Sequence, residues 1–379
     1  MDLALSEEQV FFQKAMKEFA EKEIAPLVEE AEAKEQFPVE LFPKLGALGY
    51  LGIRYPAQYG GAGADKVTEC IYVEELHRVC SGIAAGLMVG ALAADPIFHF
   101  GTEEQKQQYL TATIKGEKIA AFALTEPDAG SDVASIRTTA TRDQDDYILN
   151  GTKMFITNGP ICDYCVVAAY TDHARRREGI TLFIVDRDAP GFSVSRKLGK
   201  VGNRSAETAE LVFENCRIPV ENRIGTKEGE GFAQLSKSLA SGRISFGARC
   251  VGVAQAAYEM SLKYAQTRVQ FGRPISEFQV NKFKLAEMAM YIDIMRTITY
   301  RAACLLDQGV NCSKEASMVK LFCTETLQKI TADAMQIHGG YGYMMEFPIQ
   351  RLWRDARLYT ITEGTSEIQH LIIARELGV

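Results

Sequence analysis

The stretch Ala120-Ala121-Phe122-Ala123-Leu124-Thr125-Glu126-Pro127 decides the fold, because the hydrophobic pattern of the chain changes there. Before it, apolar residues recur at the spacing of amphipathic helices. The stretch itself is a short apolar run that ends at a proline, which is typical of a buried strand. The sequence therefore predicts that a helical region ends near residue 119 and that a β region begins at residue 120.

Residues 1–119 are predicted to form a helical domain. The segment Ser6-Glu7-Glu8-Gln9 is typical of a helix start, since a serine side chain can cap the free N–H groups of a first turn. A short helix is predicted at 41–51. A long helical pattern follows at 67–100, with an interruption at Pro96.

The second half of this long pattern is rich in small residues, among them Gly82, Gly86 and Gly90. Each glycine costs a helix about 1 kcal/mol relative to alanine. Their number indicates that something packs closely against the helix, either another helix or a ligand. We interpret Asp95, which precedes Pro96, as structural.

Residues 120–226 are predicted to form a β domain. Apolar runs at 166–170, 180–186 and 210–213 indicate strands that are separated by turn residues. The dipeptide Asn150-Gly151 lies between two apolar runs, which predicts a tight hairpin at this position.

From residue 227 onward the helical period returns. Apolar residues alternate at spacings of three and four along 285–306 and again along 319–337, as in the seams of a helix bundle. The predicted order is therefore a helical domain at 1–119, a β domain at 120–226 and a helical bundle at 227–379. A large flat ligand could sit in the cleft between the β domain and the bundle.

The sequence Thr362-Glu363-Gly364-Thr365-Ser366 places a carboxylate at a loop tip just before a helix. Ser366 and Gln369 have the spacing of a capping box, and the helix is predicted to run to Gly378. Taken alone, a loop glutamate is more often simply exposed. Here free backbone N–H groups beside Glu363 could hold an oxygen on which charge develops, which favours a role in proton removal next to a carbonyl.

Composition excludes several classes of function. The chain has 379 residues, 47% of them hydrophobic and 24% charged, and a formal net charge of −7, which argues against a nucleic-acid surface. No apolar run reaches about 20 residues, so no membrane span is expected. The first residues carry neither a signal peptide nor a transit pattern, which predicts a cytoplasmic protein.

The nine cysteines form no framework of regular spacings, as expected for reduced thiols. Cys162 and Cys165 have redox or zinc spacing, but no second pair accompanies them. The histidines show no metal-ligand spacing, and no metal site is predicted.

Several stretches together resemble the flavin-dependent acyl-CoA dehydrogenases. The sequence carries these stretches in the following order: Ala123-Leu124-Thr125-Glu126-Pro127-Asp128-Ala129-Gly130-Ser131-Asp132, Asn150-Gly151-Thr152-Lys153-Met154-Phe155-Ile156-Thr157-Asn158-Gly159, Arg268-Val269-Gln270-Phe271-Gly272-Arg273-Pro274-Ile275, Gln336-Ile337-His338-Gly339-Gly340-Tyr341-Gly342 and Thr362-Glu363-Gly364-Thr365-Ser366. The resemblance covers nearly the whole chain. It implies an N-terminal all-α domain, a middle antiparallel β-barrel and a C-terminal four-helix bundle.

The resemblance also implies FAD as the cofactor and assigns residues to it. Phe122, Leu124 and Thr125 are implied at the edge of the flavin ring, and Phe155 and Thr157 at its face. Many relatives carry tryptophan where Phe155 stands. An arm from a neighbouring subunit is implied to contact FAD through Arg268, Gln270 and Phe271. The implied contacts on the adenosine side are Gln336, Gly339 and Gly340. Those at the diphosphate end are Thr365 and Glu367. The family usually has glutamine in place of Glu367.

For the substrate, the resemblance implies that Glu363 is the catalytic base. Some family members use a glutamate on a bundle helix instead, and that position is Gly242 here. Ser131 is implied where flavin and substrate meet, and Arg243 near the CoA portion. The remaining predicted substrate contacts are Gly90, Ala91, Thr362 and Gly364.

The implied reaction is α,β-dehydrogenation of an acyl-CoA, with the α-proton passing to Glu363 and the β-hydride to flavin N5. Electrons would pass to an electron-transfer flavoprotein, and the protein would be at least a dimer, with a tetramer expected from the family. The small residues of the helix at 82–96 predict a wide pocket for a short, branched or alicyclic acyl group, such as cyclohexane-1-carboxyl-CoA. No arginine on that helix is placed to pair a distal carboxylate.

Other functions share the same sequence signals. One is a flavin-dependent enoyl-CoA reductase that works in the reverse direction in a complex with an electron-transfer flavoprotein. Another is a CoA-binding or assembly protein without activity, against which the retention of Glu363 argues. A third is an acyl-CoA oxidase, which is usually a much longer chain.

Overall fold

A computed structural model describes residues 4–379, except for the side chain of Ser238. The chain forms helices, then a β-sheet, then helices again, which confirms the predicted order. The N-terminal helices are α1 (Glu7–Phe19), α2 (Val28–Lys34), α3 (Leu41–Ala47), α4 (Lys66–Val79), α5 (Ser81–Phe100), α6 (Glu103–Gln105) and α7 (Thr111–Ile114). The C-terminal helices are α8 (Gly231–Thr267), α9 (Gln279–Asp307), α10 (Ser313–His338), α11 (Ile349–Ala356) and α12 (Ser366–Leu377).

The strands of the middle region belong to one sheet. They are β1 (Ala120–Ala123), β2 (Thr139–Asp143), β3 (Asp146–Thr157), β4 (Tyr164–Tyr170), β5 (Ile180–Asp186), β6 (Phe192–Lys197), β7 (Thr208–Pro219) and β8 (Arg223–Ile224). A separate two-stranded hairpin, β9 (Val269–Gln270) and β10 (Arg273–Pro274), follows α8.

The sheet differs in two details from the antiparallel barrel that the resemblance implied. Its strand order is β6-β7-β3-β2-β4-β5-β8, and β1 pairs in parallel with β4 at the side. β2 also meets β4 in parallel. The sheet is therefore mixed. In the described chain, no pairing of β6 with β8 closes it into a barrel.

The predicted hairpin at Asn150-Gly151 is wrong. Both residues lie inside the single long strand β3, at a bulge where its register against β7 shifts. The Asn150 side chain accepts a hydrogen bond from the backbone N–H of Asn215 on β7 at 2.8 Å, so it serves the neighbouring strand rather than a turn. Gly151 is needed because an added Cβ would lie 2.3 Å from the Thr138 hydroxyl.

The predicted interruption at Pro96 is also wrong. Pro96 lies within α5, and the break falls earlier, at Cys80, whose extended backbone separates α4 from α5. α5 is also the one described helix that is long and apolar enough to cross a membrane, and most of it is buried in the protein.

Three apolar clusters connect the regions. The largest joins α4 and the N-terminal helices to α8, α9 and α10. The two faces of the sheet carry the others. One face packs against α5 and the segments around Tyr55 and Tyr109, and the other is filled by strand residues such as Phe183 and Phe213. The N-terminal domain therefore packs against the bundle through one apolar cluster and against the sheet through another.

Candidate active site

Glu363 lies on a loop with an unusual backbone. Its φ of +52° is in the left-handed region that residues with a side chain seldom adopt, and Gly364 follows with φ of +94°. The loop ends at Thr365, whose hydroxyl accepts a hydrogen bond from the backbone N–H of Ile368 at 3.4 Å. Thr365 is thus the N-cap of α12, and the capping box predicted for Ser366 is wrong because Ser366 is already helical.

Two buried side chains hold this loop from below. The ammonium group of Lys320 on α10 donates to the Gly364 carbonyl at 2.6 Å, and the amide of Gln369 donates to the same oxygen at 3.0 Å. Burial disfavours the charged form of Lys320 and lowers its pKa to about 8. Neither residue was predicted as part of the site.

The carboxylate of Glu363 is mostly buried among cations. Nη1 of Arg249 lies 3.6 Å from Oε1 of Glu363, and the two side chains are 15% and 14% exposed. Arg243 is buried as well, and desolvation lowers its pKa while the Glu363 carboxylate opposes that shift. In the described chain, Oε2 of Glu363 has no hydrogen-bond partner, nor has the Nε of either arginine.

The backbone N–H of Glu363 is also free to act on a ligand. Within the described residues it donates to no protein acceptor, although the preceding N–H groups of Ile361 and Thr362 both donate to the Leu358 carbonyl. A buried carboxylate and an unused N–H therefore belong to one residue. This pair can receive a proton and stabilise a developing oxyanion.

A cavity of about 60 Å³ ends at Glu363. It lies between the segment 50–55, α4, α5 and α8. Its lining comprises Tyr50, Leu51, Ile53, Arg54, Tyr55, Glu69, Tyr72, Met88, Ala91, Leu92, Asp95, Ser241, Gly242, Ser245, Arg249 and Glu363. Of the two predicted contacts on α5, Ala91 lines the cavity, whereas Gly90 is not part of the lining.

The glycines of α5 mostly accommodate protein rather than ligand. A Cβ on Gly86 would lie 2.4 Å from the Phe37 ring, and one on Gly82 would lie 2.2 Å from the Ser205 hydroxyl. The expectation that these small residues widen the pocket is therefore wrong for Gly82 and Gly86. Their neighbours come from segments distant in sequence, so a single helix could not reveal them.

Phe122, Leu124 and Thr125 lie at and beyond the end of β1, and all three are partly buried. A buried ion pair fixes the segment that follows, because Lys153 lies 2.8 Å from Glu126 and also donates to the Leu124 carbonyl at 3.0 Å. The Thr125 carbonyl accepts from the backbone N–H of Met154 at 2.8 Å. β1 and β3 therefore present these residues on one edge.

Phe155 is held in a strained position on that edge. It lies at a bulge of β3, has φ of +62°, and its side chain is 66% exposed. An exposed aromatic ring on a strained bulge is a device for presenting a flat surface to a ligand. Thr157, two residues on, is partly buried, and Ser131 is exposed in the loop after β1.

A second groove, of about 500 Å³, lies at the far end of α8. Arg268, Gln270, Gly339 and Gly340 all line it. Phe271 projects from the β9–β10 turn with 94% of its side chain exposed. Gln336 is exposed on α10 but is not in the lining.

These features fit FAD. The groove offers an arginine and open backbone at Gly339 and Gly340, where an added Cβ would meet nothing within 4 Å. Thr365 caps α12, and the exposed carboxylate of Glu367 has a lowered pKa because its own backbone N–H, and then the Thr365 side chain, hydrogen-bond it. None of the residues on the β1–β3 edge lines the groove. One chain therefore presents two separate surfaces for FAD.

Comparison with known proteins decides the family. Family models described as the N-terminal, middle and C-terminal domains of acyl-CoA dehydrogenase match residues 6–117, 121–216 and 229–378. The chain is 45% identical over 374 residues to an acyl-CoA dehydrogenase of Bacillus subtilis, with 98% of each covered. The chain belongs to the acyl-CoA dehydrogenase family.

Other members of the acyl-CoA dehydrogenase family differ in reaction direction. The chain is 41% identical over 372 residues to the caffeyl-CoA reductase-Etf complex subunit CarC of Acetobacterium woodii, covering 97% of this chain and 98% of that protein. The structure of butyryl-CoA dehydrogenase from Megasphaera elsdenii matches with a TM-score of 0.96 at 40% identity, covering 100% of both chains.

Family membership makes the protein an oxidoreductase of the CH–CH bond of acyl-CoA thioesters, with FAD as cofactor. In an acyl-CoA dehydrogenase with the alternative arrangement, a glutamate at position 242 would supply the base. Here Gly242 leaves that space to Glu363, since an added Cβ would lie 3.0 Å from Glu363 Oε2. Arg249 and Arg54, which also line the cavity, were missed because each lies within an ordinary helix or loop pattern.

Proposed function

We propose that the protein catalyses α,β-dehydrogenation of a small acyl-CoA thioester with Glu363 as the catalytic base. One observation carries this proposal: the unpartnered Oε2 of Glu363 is buried, and Glu363 lines a cavity that can take a small acyl group. A cavity of about 60 Å³ suits a short, branched or alicyclic acyl group, such as cyclohexane-1-carboxyl-CoA, rather than a long chain.

The α-proton of a thioester is too weakly acidic for a carboxylate in water. The free N–H of Glu363 can donate to the thioester oxygen and stabilise the charge that develops there. Entry of the acyl group excludes water from the cavity, and a carboxylate deprived of water is a stronger base. Lys320 and Gln369 keep the loop in place by holding the Gly364 carbonyl.

FAD, when bound, supplies the acceptor for the β-hydride. We assign its flavin edge to Phe122, Leu124, Thr125, Phe155 and Thr157. We assign the rest of the cofactor to residues on the groove and on the start of α12: Arg268, Gln270, Phe271, Gln336, Gly339, Gly340, Thr365 and Glu367. The proposed substrate contacts are Ser131, Ala91, Arg243, Thr362 and Gly364.

The proposed partners are an electron-transfer flavoprotein and further copies of this chain. The Etf complex of the caffeyl-CoA reductase relative supports the first. The exposed Phe271 arm supports the second, because an aromatic ring that is 94% exposed gains from burial in a neighbouring subunit. We propose a homotetramer that acts in the cytoplasm.

The same site could run as an enoyl-CoA reductase, with Glu363 returning a proton to the α-carbon. The 41% identity to a caffeyl-CoA reductase subunit favours this second candidate. Net direction depends on the electron donor or acceptor. Comparing reduction of the enoyl-CoA with oxidation of the acyl-CoA, each with an electron-transfer flavoprotein, distinguishes the two.

The test of the proposal is the Glu363→Gln variant. We expect it to retain FAD but to lose nearly all bleaching of the flavin by acyl-CoA under anaerobic conditions, because the amide cannot accept the α-proton. The matched control is Glu376→Gln at the end of α12, the helix that follows the Glu363 loop, which should bleach like the wild type. Flavin reduction at near-normal rates in Glu363→Gln would overturn the assignment of the base.

A further inference from the structure

One wall of the cavity at Glu363 is unusually polar for a pocket that takes an acyl chain. We call Arg54, Glu69, Asp95, Ser241 and Ser245 the polar wall, since all five line the cavity. The lining also contains apolar residues such as Leu51, Met88 and Leu92. An acyl group bound to Glu363 therefore meets charged and hydroxyl groups as well as apolar ones.

Arg54 is the centre of the polar wall. Its Nε lies 2.5 Å from Oε2 of Glu69, and its Nη1 donates to the Ser241 hydroxyl at 2.8 Å. Behind it, the Lys66 ammonium is 1% exposed and donates to Ser245 at 2.7 Å and to Glu69 at 2.9 Å. These contacts fix the hydrogen-bonding groups of the wall, so they cannot turn away from a ligand.

The charges of this cluster cancel. Arg54 and Lys66 supply two positive charges, and Glu69 and Asp95 supply two negative ones. Arg54 is most tightly paired with Glu69, so it is not a free counter-ion for a carboxylate on the acyl group. The polar wall consequently suits a neutral group that can form hydrogen bonds.

Asp95 has an unused acceptor. The Tyr55 hydroxyl donates to Oδ1 at 2.6 Å, and Nη2 of Arg54 lies 3.5 Å from the same atom. Within the described residues, no hydrogen bond reaches Oδ2. Asp95 lines the cavity, so a hydroxyl there could donate to this oxygen, whereas an alkyl group offers it no donor.

We propose that the preferred substrate carries a hydroxyl group beyond the β-carbon of its acyl chain or ring, and that Asp95 selects it. This inference rests on the proposed function, because it places the α- and β-carbons at Glu363. Sites that bind a hydroxyl can reject the analogue without it far more strongly than an apolar pocket rejects a change of one methylene. We expect a preference of about tenfold or more for the hydroxylated substrate.

Calorimetry of acyl-CoA binding to the FAD-loaded Glu363→Gln variant tests the inference without turnover. The ligands are pentanoyl-CoA, 5-hydroxypentanoyl-CoA and glutaryl-CoA, which have equal carbon counts, and cyclohexane-1-carboxyl-CoA with its 4-hydroxy derivative. We expect each hydroxylated thioester to bind about tenfold more tightly than its parent. Asp95→Asn in the same background should lower that ratio, because a neutral amide binds the hydroxyl more weakly than a carboxylate does.

The matched control is Asp188→Asn in an exposed turn, which should keep the preference. Equal affinity of parent and hydroxylated thioesters would overturn the inference, and so would tightest binding of glutaryl-CoA, which would make the wall a carboxylate site. Wild-type flavin reduction by the same thioesters separates the two proposals. Bleaching without a hydroxyl preference overturns only this inference, and hydroxyl-selective binding without bleaching overturns only the proposed dehydrogenation.

Discussion

At the scale of the residue, the active-site loop depends on contacts that oppose its own strain. Glu363 adopts a left-handed backbone that costs on the order of 1–3 kcal/mol, and such strain persists only where neighbours hold it. Lys320 and Gln369 do so through the Gly364 carbonyl. The position of Glu363, the proposed base, is therefore set by two residues that are not part of the cavity lining.

Lys320→Met tests this dependence. Loss of one donor to a buried carbonyl costs about 1–3 kcal/mol, so kcat should fall by about tenfold or more as the loop loses its position. Stability should fall by less than this, because removing a buried ammonium group, whose pKa burial lowers to about 8, offsets part of the loss. The measurements are kcat from flavin bleaching and Tm.

Lys329→Met on the same helix is the control. Its ammonium group pairs with Glu287 at 3.0 Å, and both side chains are 48% exposed, so kcat and Tm should both match the wild type. An unchanged kcat in Lys320→Met would show that Gln369 alone positions the loop.

At the scale of the element, the β9–β10 hairpin presents an aromatic ring to solvent. Gln270 pairs with Arg273, so the turn has only two residues, Phe271 and Gly272, with φ of +49° and +76°. Positive φ at both central positions defines a tight turn whose twist matches that of the two strands. Glycine adopts positive φ easily, whereas phenylalanine does not. A strained phenylalanine with almost no contact in its own chain indicates a binding role.

Phe271→Ala should therefore affect assembly rather than the fold of one chain. Within the chain its ring meets only the edge of Phe278, at a centroid distance of 6.0 Å, among the described aromatic contacts. If FAD and a neighbouring subunit bury the ring, the variant will bind FAD more weakly and will no longer form the proposed tetramer. Flavin absorbance per chain and analytical ultracentrifugation measure both losses.

Phe11→Ala on α1 is the matched comparison, because that ring is 76% exposed on a surface helix. It should retain cofactor and assembly. Equal behaviour of the two variants would remove the case for an intersubunit arm.

At the scale of the whole molecule, buried carboxylates join the three regions. Asp355 in α11 accepts from the backbone N–H of Asn203 in the middle domain at 2.5 Å. Glu32 of α2 accepts from the Ser205 N–H at 3.0 Å and from its hydroxyl at 2.7 Å. In the described chain, the second oxygen of each carboxylate has no partner.

Asp355→Asn should change how stability depends on pH. Burial, with the Glu32 carboxylate adding to it, raises the pKa of Asp355 from about 3.8 to about 7. Between these values the folded state binds more protons than the unfolded state, so this stabilising contribution is lost as pH rises through 7. The difference in Tm between the variant and the wild type should therefore shift in favour of the variant as pH rises from 5 to 8.

Thermal unfolding at the two pH values measures this difference, and Asp188→Asn in the exposed turn should follow the wild type at both. A difference in Tm that is the same at pH 5 and pH 8 would show that Asp355 does not titrate in this range.

The sequence by itself determined the order of the regions, and its resemblance to a known family predicted Glu363 as the base. Periodicity in residues 67–100, 166–186 and 285–337 reflects burial along each element, and burial of one face is a local property of helices and strands. A glycine and a helix start mark the loop of Glu363 in the chain, and the family resemblance then predicted its role as the base. These signals need no knowledge of what lies across the fold.

Only the tertiary structure decided what surrounds that base. Asn150-Gly151 carries a local turn signal, but pairing with β7 through Asn215 makes it a bulge. Lys320, Arg249 and the polar wall reach the cavity from elements that are distant in sequence, and their spacing within each element resembles ordinary core or surface. The spacing of apolar residues in the sequence indicates which face of a helix is buried. The residues that pack against that face are determined only when the elements come together in the tertiary structure.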